Sequence, residues 1–577
     1  MNADHLPGRV NRIALALSLI LGAMDAWFLR NWNLNPDGVS YFDLARAVAK
    51  HGIPAVINGY WSPLYPAMLG GALRLFAPTT ETMFPLVRII GYVVFVGATL
   101  AFSRLLRIAT NSNPGYHAAS PGTRTLVLVA AWELYLLLVL KAVGLFLVTP
   151  DMGVALFVFW ECGELVALAT IPMTPRRWTR FGIVLAIGYW WKAILFPVSG
   201  VMLLVANWIA WRRRDGWRGP IAAASAFTSL ALLFMVPLSL LVGRPTFGET
   251  GRLNQLWFVN EAPHLTTLCI EPGKQLPLGR VGTVKTDSVL IARPLTCALP
   301  ERWPESTLPL WYDASYWYQQ THTYMSLEET TSAVKRDIGY MRDALTDAAP
   351  LMTVAFALLA IVVLATRSST ASAWPLLVLT VIPVSFYLLV YVELRHIVPF
   401  LVAGAVAALL AIIARSARWR QAMLAAVVAI GAVDCAMHLS LPVLIELSIF
   451  RHELRGDPRP AQLSDRVARL LAARGIDPGS RVATINTLWN VDWAQRAGVV
   501  VRAYTPEYTV PPVQTVVALR DPCTALAYDQ ALRAAKIDAV VMLAPLGVRV
   551  PAGFEPLGDT GYFVRLIRDR QMVGCGG

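Results

Sequence analysis

The sequence predicts an α-helical polytopic membrane protein with about eleven transmembrane helices and a C-terminal soluble α/β domain. Three observations lead to this fold class: the composition, the spacing of long apolar segments, and a change of pattern after residue 445. Of the 577 residues, 56% are hydrophobic and only 15% are charged, and the mean hydropathy is +0.52. Soluble domains carry about 45–50% apolar and about 25% charged residues. Most of this chain is therefore expected to lie in a bilayer.

The apolar segments are long enough to cross the hydrocarbon core of a membrane, which takes roughly 20 residues in a helix. They fill the first 445 residues and are separated by polar stretches. The predicted spans are 13–30, 84–107, 124–147, 150–171, 179–196, 197–211, 220–243, 350–366, 374–392, 397–414 and 420–445. Because some of these are short or share a boundary, their exact number is left open.

The net charge of +13 follows from membrane topology and needs no nucleic-acid partner. Arginines gather in alternate loops, which marks those loops as cytoplasmic. They are Arg104, Arg107 and Arg124, then Arg176, Arg177 and Arg180, then Arg212, Arg213, Arg214 and Arg218, then Arg415, Arg418 and Arg420. We therefore expect a cytoplasmic N-terminus on a retained first span, with the segments 31–83 and 244–349 on the outer side. This divides the chain into a membrane domain, 1–445, and an outer domain, 446–577.

The tail after residue 445 alternates helical and strand patterns, which is typical of a small α/β layer domain. The predicted elements are a helix at 462–474, a strand at 482–485, a helix at 489–497, a strand at 499–503, a helix at 525–536, a strand at 539–542 and a strand pair at 554–557 and 562–567. The tail has no glycine-rich nucleotide-binding motif. We therefore expect it to act as a cap or docking module.

The cysteines agree with this topology. Cys162 and Cys435 fall inside predicted spans, whereas the other four lie in pairs in the outer segments. Disulfides form on that side of a membrane. The sequence therefore predicts a bridge between Cys269 and Cys297 and another between Cys523 and Cys575, with four free thiols as the alternative. No Cys/His spacing indicates a structural metal site.

Two acids stand in the stretch NPDGVSYFDLA at 35–45, directly after the first span. Residues 40–50 have the pattern of a short amphipathic helix at the membrane surface. Ser40 and Asp43 fit a capping box, in which the serine caps the helix and the acid reaches back to its backbone. Asp37 lies before this helix in a Pro-Asp-Gly turn, where it serves either a local hydrogen bond or a functional role.

Six segments together resemble the membrane glycosyltransferases of the GT-C superfamily, which include protein O-mannosyltransferases and the bacterial enzymes that glycosylate lipopolysaccharide. They are NPDGVSYFDLA at 35–45, NGYWSPLYPAML at 58–69, VTPDMGVALFVF at 148–159, WWKAILFPV at 190–198, FGETGRLNQLWFVN at 247–260 and YVELRHIVPFL at 391–401. The likeness covers roughly residues 10–445 and lies in the order and spacing of the motifs. The tail does not contribute to it.

The resemblance implies an inverting transferase in the bacterial inner membrane that takes a sugar from a polyprenyl-phosphate donor at the periplasmic face. The acceptor is a glycolipid, a polysaccharide or a protein. The family uses an acid in the first outer loop as general base, and the matching residue here is Asp37. The protein mannosyltransferases have Asp-Glu where this chain has Asp37-Gly38, which leaves the acceptor type open. Such a donor needs no nucleotide cofactor, and a role for a divalent metal is left open.

The leaving polyprenyl phosphate needs cations, because fixed positive groups stabilise its developing charge. Ionisable groups at membrane depth usually face an internal cavity. The candidates at the outer ends of spans are Arg395, Lys192, Arg88, His396 and Lys141. The alternative for each is snorkelling to the lipid headgroups or pairing with an acid such as Glu393.

Further residues are candidates for lining the site. Asp151 follows Thr149 and Pro150, which suits a helix start, so a structural cap is the favoured interpretation and a lining role the alternative. Tyr41 and Asp43 follow Asp37, and Glu249 is a candidate second acid. Aromatic residues of the long outer loop suit either sugar stacking or anchoring at the bilayer surface. They are Trp257, Phe258, Trp311, Tyr312, Tyr316, Trp317 and Tyr318.

Two other classes of protein fit the same composition. A flippase or other transporter of lipid-linked saccharides also needs many spans and buried cations, although it should show internal repeats. A non-catalytic membrane scaffold is the third possibility. The large aromatic outer loop favours the transferase.

Overall fold

The computed structural model describes residues 6–171, 174–274, 276, 280–365, 373–414, 419–456, 462–507 and 510–567. The chain divides into two compact units, each built from three separate segments. The membrane unit comprises Met1–Arg30, Pro85–Asn254 and Met325–Arg459, and the mixed unit comprises Asn31–Phe84, Gln255–Tyr324 and Pro460–Gly577.

The α-helices account for most of the described residues. They are α1 (Leu6–Phe28), α2 (Pro36–His51), α3 (Leu64–Phe76), α4 (Met83–Asn111), α5 (Pro114–Ala118), α6 (Pro121–Tyr135), α7 (Asp151–Thr170), α8 (Pro175–Trp191), α9 (Leu195–Arg213), α10 (Arg218–Val242), α11 (Thr250–Phe258), α12 (Pro309–Tyr312), α13 (Leu327–Ala348), α14 (Pro350–Ala365), α15 (Trp374–Leu388), α16 (Leu394–Ile413), α17 (Arg420–Leu454), α18 (Leu463–Ala472), α19 (Asp492–Ala497), α20 (Pro512–Ala518) and α21 (Pro522–Ala534). A π-helical segment, Leu136–Val143, continues α6. Short 3₁₀ turns lie at Ile53–Val56, Leu265–Thr267 and Ala314–Tyr318.

Eight helices among the described residues are long and apolar enough to cross a membrane, and they coincide with eight of the predicted spans. They are α1, α4, α6 with its π-helical continuation, α7, α9, α10, α16 and α17. The other predicted spans, 179–196, 350–366 and 374–392, fall on α8, α14 and α15, which have 17, 16 and 15 described residues. The multi-pass membrane class is confirmed, and the count of eleven stays a prediction. Arg415 and Arg418 lie outside the described residues.

Small residues and buried caps hold the membrane unit together. A side chain at Gly182 of α8 would lie 2.1 Å from the carbonyl oxygen of Ala223 in α10, so glycine lets these two helices approach closely. Asp434 of α17 accepts hydrogen bonds from the backbone N–H groups of Leu351 and Met352. It thereby caps α14, whose first N–H groups have no partner within their own helix.

The mixed unit is centred on a seven-stranded sheet in the order β2-β3-β6-β5-β7-β9-β8. Its strands are β2 (Ser288–Ala292), β3 (Leu295–Ala298), β5 (Arg481–Ile485), β6 (Val500–Tyr504), β7 (Ala539–Leu543), β8 (Glu555–Pro556) and β9 (Tyr562–Leu566). The central strands β6, β5 and β7 are parallel, and the outer pairs are antiparallel. A separate pair joins β1 (Gly282–Thr283) to β4 (Gln320–Thr321). The predicted mixture of strands and helices in the tail is confirmed.

Two strands of this sheet come from the long loop between α11 and α13, because β3 pairs with β6 of the tail. Strands β2 and β3 and helix α20 were not predicted from the sequence. The apolar side of the sheet packs against α20 and α21, where Tyr528 and Leu532 are fully buried. The core of the mixed unit therefore combines strands that precede α13 with strands that follow α17.

The predicted disulfide between Cys269 and Cys297 is present and fixes β3 to the preceding loop. Cys162 lies in α7 and Cys435 in α17, and both are free thiols as expected. Cys575 lies outside the described residues. Its bridge to Cys523 therefore stays a prediction.

Candidate active site

A cluster of charges in the membrane unit forms around Asp151, the first residue of α7. Lys192 directly follows α8, and Arg395 lies in the first turn of α16. The side chain of Asp151 is only 3% exposed, and it forms ion pairs with both cations. Its Oδ2 lies 3.6 Å from Nε of Arg395. Burial of this carboxylate requires such partners, since an unpaired charge away from water is costly.

The predicted helix start is present, with Asp151 in the first turn, but Thr149 is not its N-cap. Pro150, not Thr149, stands at the N-cap position, and the hydroxyl of Thr149 donates to Oδ2 of Asp151 over 2.8 Å. The indole N–H of Trp191 donates to the carbonyl of Pro150 over 2.6 Å. Asp151 thus links α7 to the ends of two other helices, a role that its local sequence does not reveal.

Glu393 and His396 complete this cluster. Oε2 of Glu393 lies 2.6 Å from Nε of Arg395, and the hydroxyl of Tyr391 donates to Oε1 over 2.7 Å. The pairing of Arg395 with Glu393 is the alternative that the sequence analysis considered. Burial would raise the pKa of Glu393, but His396 and Arg395 hold it below its usual range. The buried ring of His396 stacks on Tyr387, with centroids 5.3 Å apart.

Two further predicted cations bind backbone carbonyls elsewhere in this unit. Arg88 is buried and donates from Nη1 to the carbonyls of Leu145 and Phe146 over 2.8 and 2.9 Å. These carbonyls belong to the loop that leads into α7, so Arg88 positions the chain just before Asp151. Lys141, in the π-helical segment, reaches the carbonyls of Asp347 and Ala348 at 3.4 Å.

Glu249 directly precedes α11 and is buried between Arg244 of the loop and Arg252 of that helix. It forms ion pairs with Arg244 and with Arg252, the latter at 2.6 Å. Burial would raise the pKa of Glu249, but Arg252 and Arg244 together hold it below its usual range. A Cβ added at Gly248 would lie 3.0 Å from Cβ of Ala193, the residue after Lys192. Arg244 and Arg252 were not among the predicted site residues, although both stand within five residues of Glu249.

Asp37 lies in the first turn of α2 in the mixed unit, with Asn35 as N-cap and Pro36 as the first helical residue. It is half-buried. The positive end of the helix dipole stabilises a carboxylate at this position. Tyr41 follows one turn later and packs against Trp61, with ring centroids 4.6 Å apart.

The predicted capping box was wrong because α2 starts before Ser40, which lies inside the helix. Asp43 is fully buried and accepts hydrogen bonds from the loop 306–308: from the hydroxyl of Ser306 at 3.0 Å and the N–H of Thr307 at 2.8 Å. It also accepts from the side-chain amide of Gln495 in α19. Burial raises the pKa of Asp43, although Arg46 and the loop N–H groups oppose this rise. Asp43 therefore joins α2 to the sheet domain and has a structural role.

Aromatic side chains form a continuous row within the mixed unit. Neighbouring rings along it have centroids 4.6 to 5.9 Å apart, which suits edge-to-face and tilted packing. The row runs through Tyr41, Trp61, Tyr60, Trp257, His264, Trp311 and Trp489. Tyr60, His264 and Trp489 are partly exposed, whereas the others are buried. The row begins on the helix that carries Asp37 and ends in the loop after β5.

Solved structures with a similar fold include ArnT from Cupriavidus metallidurans bound to undecaprenyl phosphate, with a TM-score of 0.51 and 12% sequence identity over 96% of this chain and 97% of that chain. The chain has the GT-C fold. The oligosaccharyltransferase of Archaeoglobus fulgidus, in complex with Zn and sulfate, matches with a TM-score of 0.43 and 11% identity over 92% of this chain and 67% of that chain. Arabinofuranosyltransferase AftD from Mycobacteria matches with a TM-score of 0.38 and 14% identity over 94% of this chain and 36% of that chain. No protein-family model and no curated protein matches the sequence.

On this GT-C fold, the structure brings three of the predicted cations together: Lys192, Arg395 and His396 all lie around Asp151. Arg88 and Lys141 bind carbonyls instead. In the part of the chain that the structure describes, no group of three or more His, Cys, Asp or Glu side chains is arranged to hold a metal ion.

Proposed function

We propose that the protein is an inverting membrane glycosyltransferase that moves a sugar from a polyprenyl-phosphate donor to a glycan, lipid or protein acceptor. The observation that carries this proposal is the cluster of Lys192 and Arg395 around the buried Asp151. It occurs in a chain with the fold of ArnT, which has been solved with bound undecaprenyl phosphate. An anchored pair of cations suits a lipid phosphate in such a fold.

Lys192 and Arg395 are the proposed phosphate ligands. In the resting cluster, their two positive charges are balanced by Asp151 and Glu393. Glu393 is the more accessible acid, at 35% exposure. A donor phosphate would therefore displace Glu393 from Arg395, while Asp151 keeps both cations in place. Guanidinium groups bind phosphate through paired, charge-assisted hydrogen bonds. His396 and Arg88 would act by packing and loop positioning.

Asp37 is the proposed general base. The acceptor hydroxyl oxygen attacks the anomeric carbon as Asp37 takes its proton, and the bond from that carbon to the phosphate oxygen breaks. The electron pair leaves with the polyprenyl phosphate, whose negative charge Lys192 and Arg395 stabilise. A single displacement of this kind inverts the anomeric configuration. The partly exposed rings of the aromatic row, Tyr60, His264 and Trp489, are proposed to contact sugar rings, and the buried Tyr41 is proposed to support the row from behind.

The location follows from the same proposal. Arginine-rich loops would face the cytoplasm, with the mixed unit in the periplasm of a bacterial inner membrane. Polyprenyl-phosphate sugars would then reach the enzyme from the outer leaflet.

The deciding experiment measures sugar transfer by the purified protein from a panel of polyprenyl-phosphate sugars. Asp37→Asn is expected to lower kcat by about 10²–10⁴-fold, since it removes the base, without changing donor binding. Lys192→Met is expected to raise the donor KM by about tenfold or more, since it removes a charge-assisted contact. Asp343→Asn is a matched control, because this acid is exposed and pairs only with Arg342 among the described contacts. Parallel assays with EDTA decide the metal requirement.

Equal rates for the wild type and Asp37→Asn would remove Asp37 as the base. An absence of transfer with every donor would favour a transporter or a scaffold over an enzyme.

A further inference from the structure

A second charged cluster lies toward the other end of α7, around Glu164. This carboxylate is only 1% exposed and forms ion pairs with three arginines. Oε2 lies 2.6 Å from Nε of Arg177, and Oε1 lies 3.3 Å from Nη2 of Arg180. Arg104 of α4 provides the third pair. Three helices therefore meet at one acid.

The cluster has an excess of positive charge, because one carboxylate faces three guanidinium groups. The side chains of Arg177 and Arg180 are 23% and 58% exposed. Each pairs with Glu164 through a single nitrogen, and the structure records no other side-chain hydrogen bond from either guanidinium to a described residue. Two guanidinium groups that share one carboxylate thus keep N–H donors for a further anion. Such donors bind phosphate through charge-assisted hydrogen bonds.

An exposed apolar stripe on α4 leads to the same arginines. Ile89, Val93 and Leu100 are exposed on this helix, and at 100° per residue they lie within about 60° of Arg104 around its axis. From Ile89 to Arg104 the helix rises about 22 Å, which exceeds the roughly 15 Å of one hydrocarbon leaflet. The indole of Trp160 lies beneath the guanidinium groups of Arg104 and Arg180, at 5.2 and 5.5 Å. The stripe and the cations form one amphipathic surface.

We propose that this surface binds an anionic phospholipid, with its phosphate on Arg177 and Arg180 and an acyl chain along the α4 stripe. A free phosphate would use the cations but not the stripe, whereas a zwitterionic lipid would bring its own positive charge to a site that already has an excess. Basic pockets between membrane helices are suited to anionic headgroups. The site uses none of the residues assigned to sugar transfer, so a test of lipid binding is independent of the proposed enzyme activity.

The test compares the binding of phosphatidylglycerol and phosphatidylcholine to the full-length protein in detergent, by native mass spectrometry. The wild type is expected to prefer phosphatidylglycerol by about tenfold, the value of roughly one good charge-assisted contact. The variant Arg177→Gln/Arg180→Gln is expected to lose this preference. Arg212→Gln/Arg218→Gln removes the same charge from exposed positions on α9 and α10 and is expected to retain it.

A second variant tests whether a larger net positive charge strengthens phosphatidylglycerol binding. Glu164→Gln keeps all three arginines but removes their carboxylate, so phosphatidylglycerol is expected to bind several-fold more tightly. A purely structural cluster predicts the opposite pattern: both variants lower the unfolding temperature and leave the lipid preference unchanged. That result would overturn the proposal, as would equal stabilisation of the wild type by inorganic phosphate and by phosphatidylglycerol.

Discussion

The two ends of α7 carry charged clusters that are built on opposite principles. At Asp151, two cations and two carboxylates balance one another in a largely buried site. At Glu164, about 20 Å further along the helix, three arginines share one acid and reach solvent. A phosphate bound at the balanced cluster, as proposed, would compete with the acids that already pair with its cations. The unbalanced cluster has donors to spare, so it can bind an anion without rearrangement.

The largest difference is expected when one charge is removed from the balanced cluster. Asp151→Leu leaves Lys192 and Arg395 without their buried counter-charge, and this is expected to cost about 3–5 kcal/mol of stability. Asp151→Leu/Lys192→Met removes the pair together and is expected to recover much of that loss. Unfolding in mixed detergent micelles measures both. A double variant no more stable than Asp151→Leu would show that the cluster is not held by charge balance.

An intermediate effect is expected from Glu393, the acid that is proposed to compete with the donor phosphate for Arg395. Glu393→Gln frees Arg395 for phosphate, so the donor KM is expected to fall by several-fold. Steady-state transfer assays measure this change, with Asp343→Asn again as the control. An unchanged or raised KM would mean that Glu393 does not compete with the donor.

The same variant gives a pH test. The folded-state pKa of Glu393 is depressed, so this acid contributes stability above its unfolded-state pKa and that contribution is lost as the pH falls through the lower folded-state value. The unfolding temperature of the wild type is therefore expected to drop more steeply than that of Glu393→Gln below about pH 4. If the unfolding temperatures of the two proteins fall in parallel with pH, Glu393 does not make this contribution to stability.

The smallest effect is expected from a change in salt concentration, which should act differently on the Asp151 cluster and on the Glu164 cluster. Raising the salt concentration from about 0.05 to 0.5 M screens exposed charges but affects buried pairs much less. Phosphatidylglycerol binding near Arg180 is expected to weaken by a few-fold, while the stability difference between the wild type and Asp151→Leu should change little. If salt changes the lipid binding and the stability difference equally, the Asp151 cluster is not more buried than the Glu164 cluster.

Local patterns in the sequence predicted much of this fold. The apolar runs predicted the membrane helices, and the alternation of the tail predicted β5, β6, β7, β8 and β9 because each signal lies within a few residues. The hairpin β2–β3 was missed since its partner β6 is remote in sequence. Ser40 and Asp43 fit a capping box, but the helix starts earlier, at Pro36. Asp43 therefore lies inside the helix and accepts hydrogen bonds from a remote loop.

The candidate site was likewise predicted only in part from the sequence. The candidate cations were predicted from their position at the ends of spans, and two of them, Lys192 and Arg395, both pair with Asp151. That Asp151 joins them was not predicted, because Thr149 and Pro150 gave it a sufficient local explanation. The three partners of Glu164 come from α4 and α8, and no spacing rule connects such positions.

The sheet of the mixed unit has a consequence for biosynthesis. Strand β3 emerges from the ribosome before α13, yet its hydrogen-bond partner β6 follows α17 and β5. Throughout the insertion of the intervening helices, the hairpin therefore exposes an open edge, which is a template for incorrect pairing between chains. A nascent chain stalled before β6 would therefore be prone to association through β3.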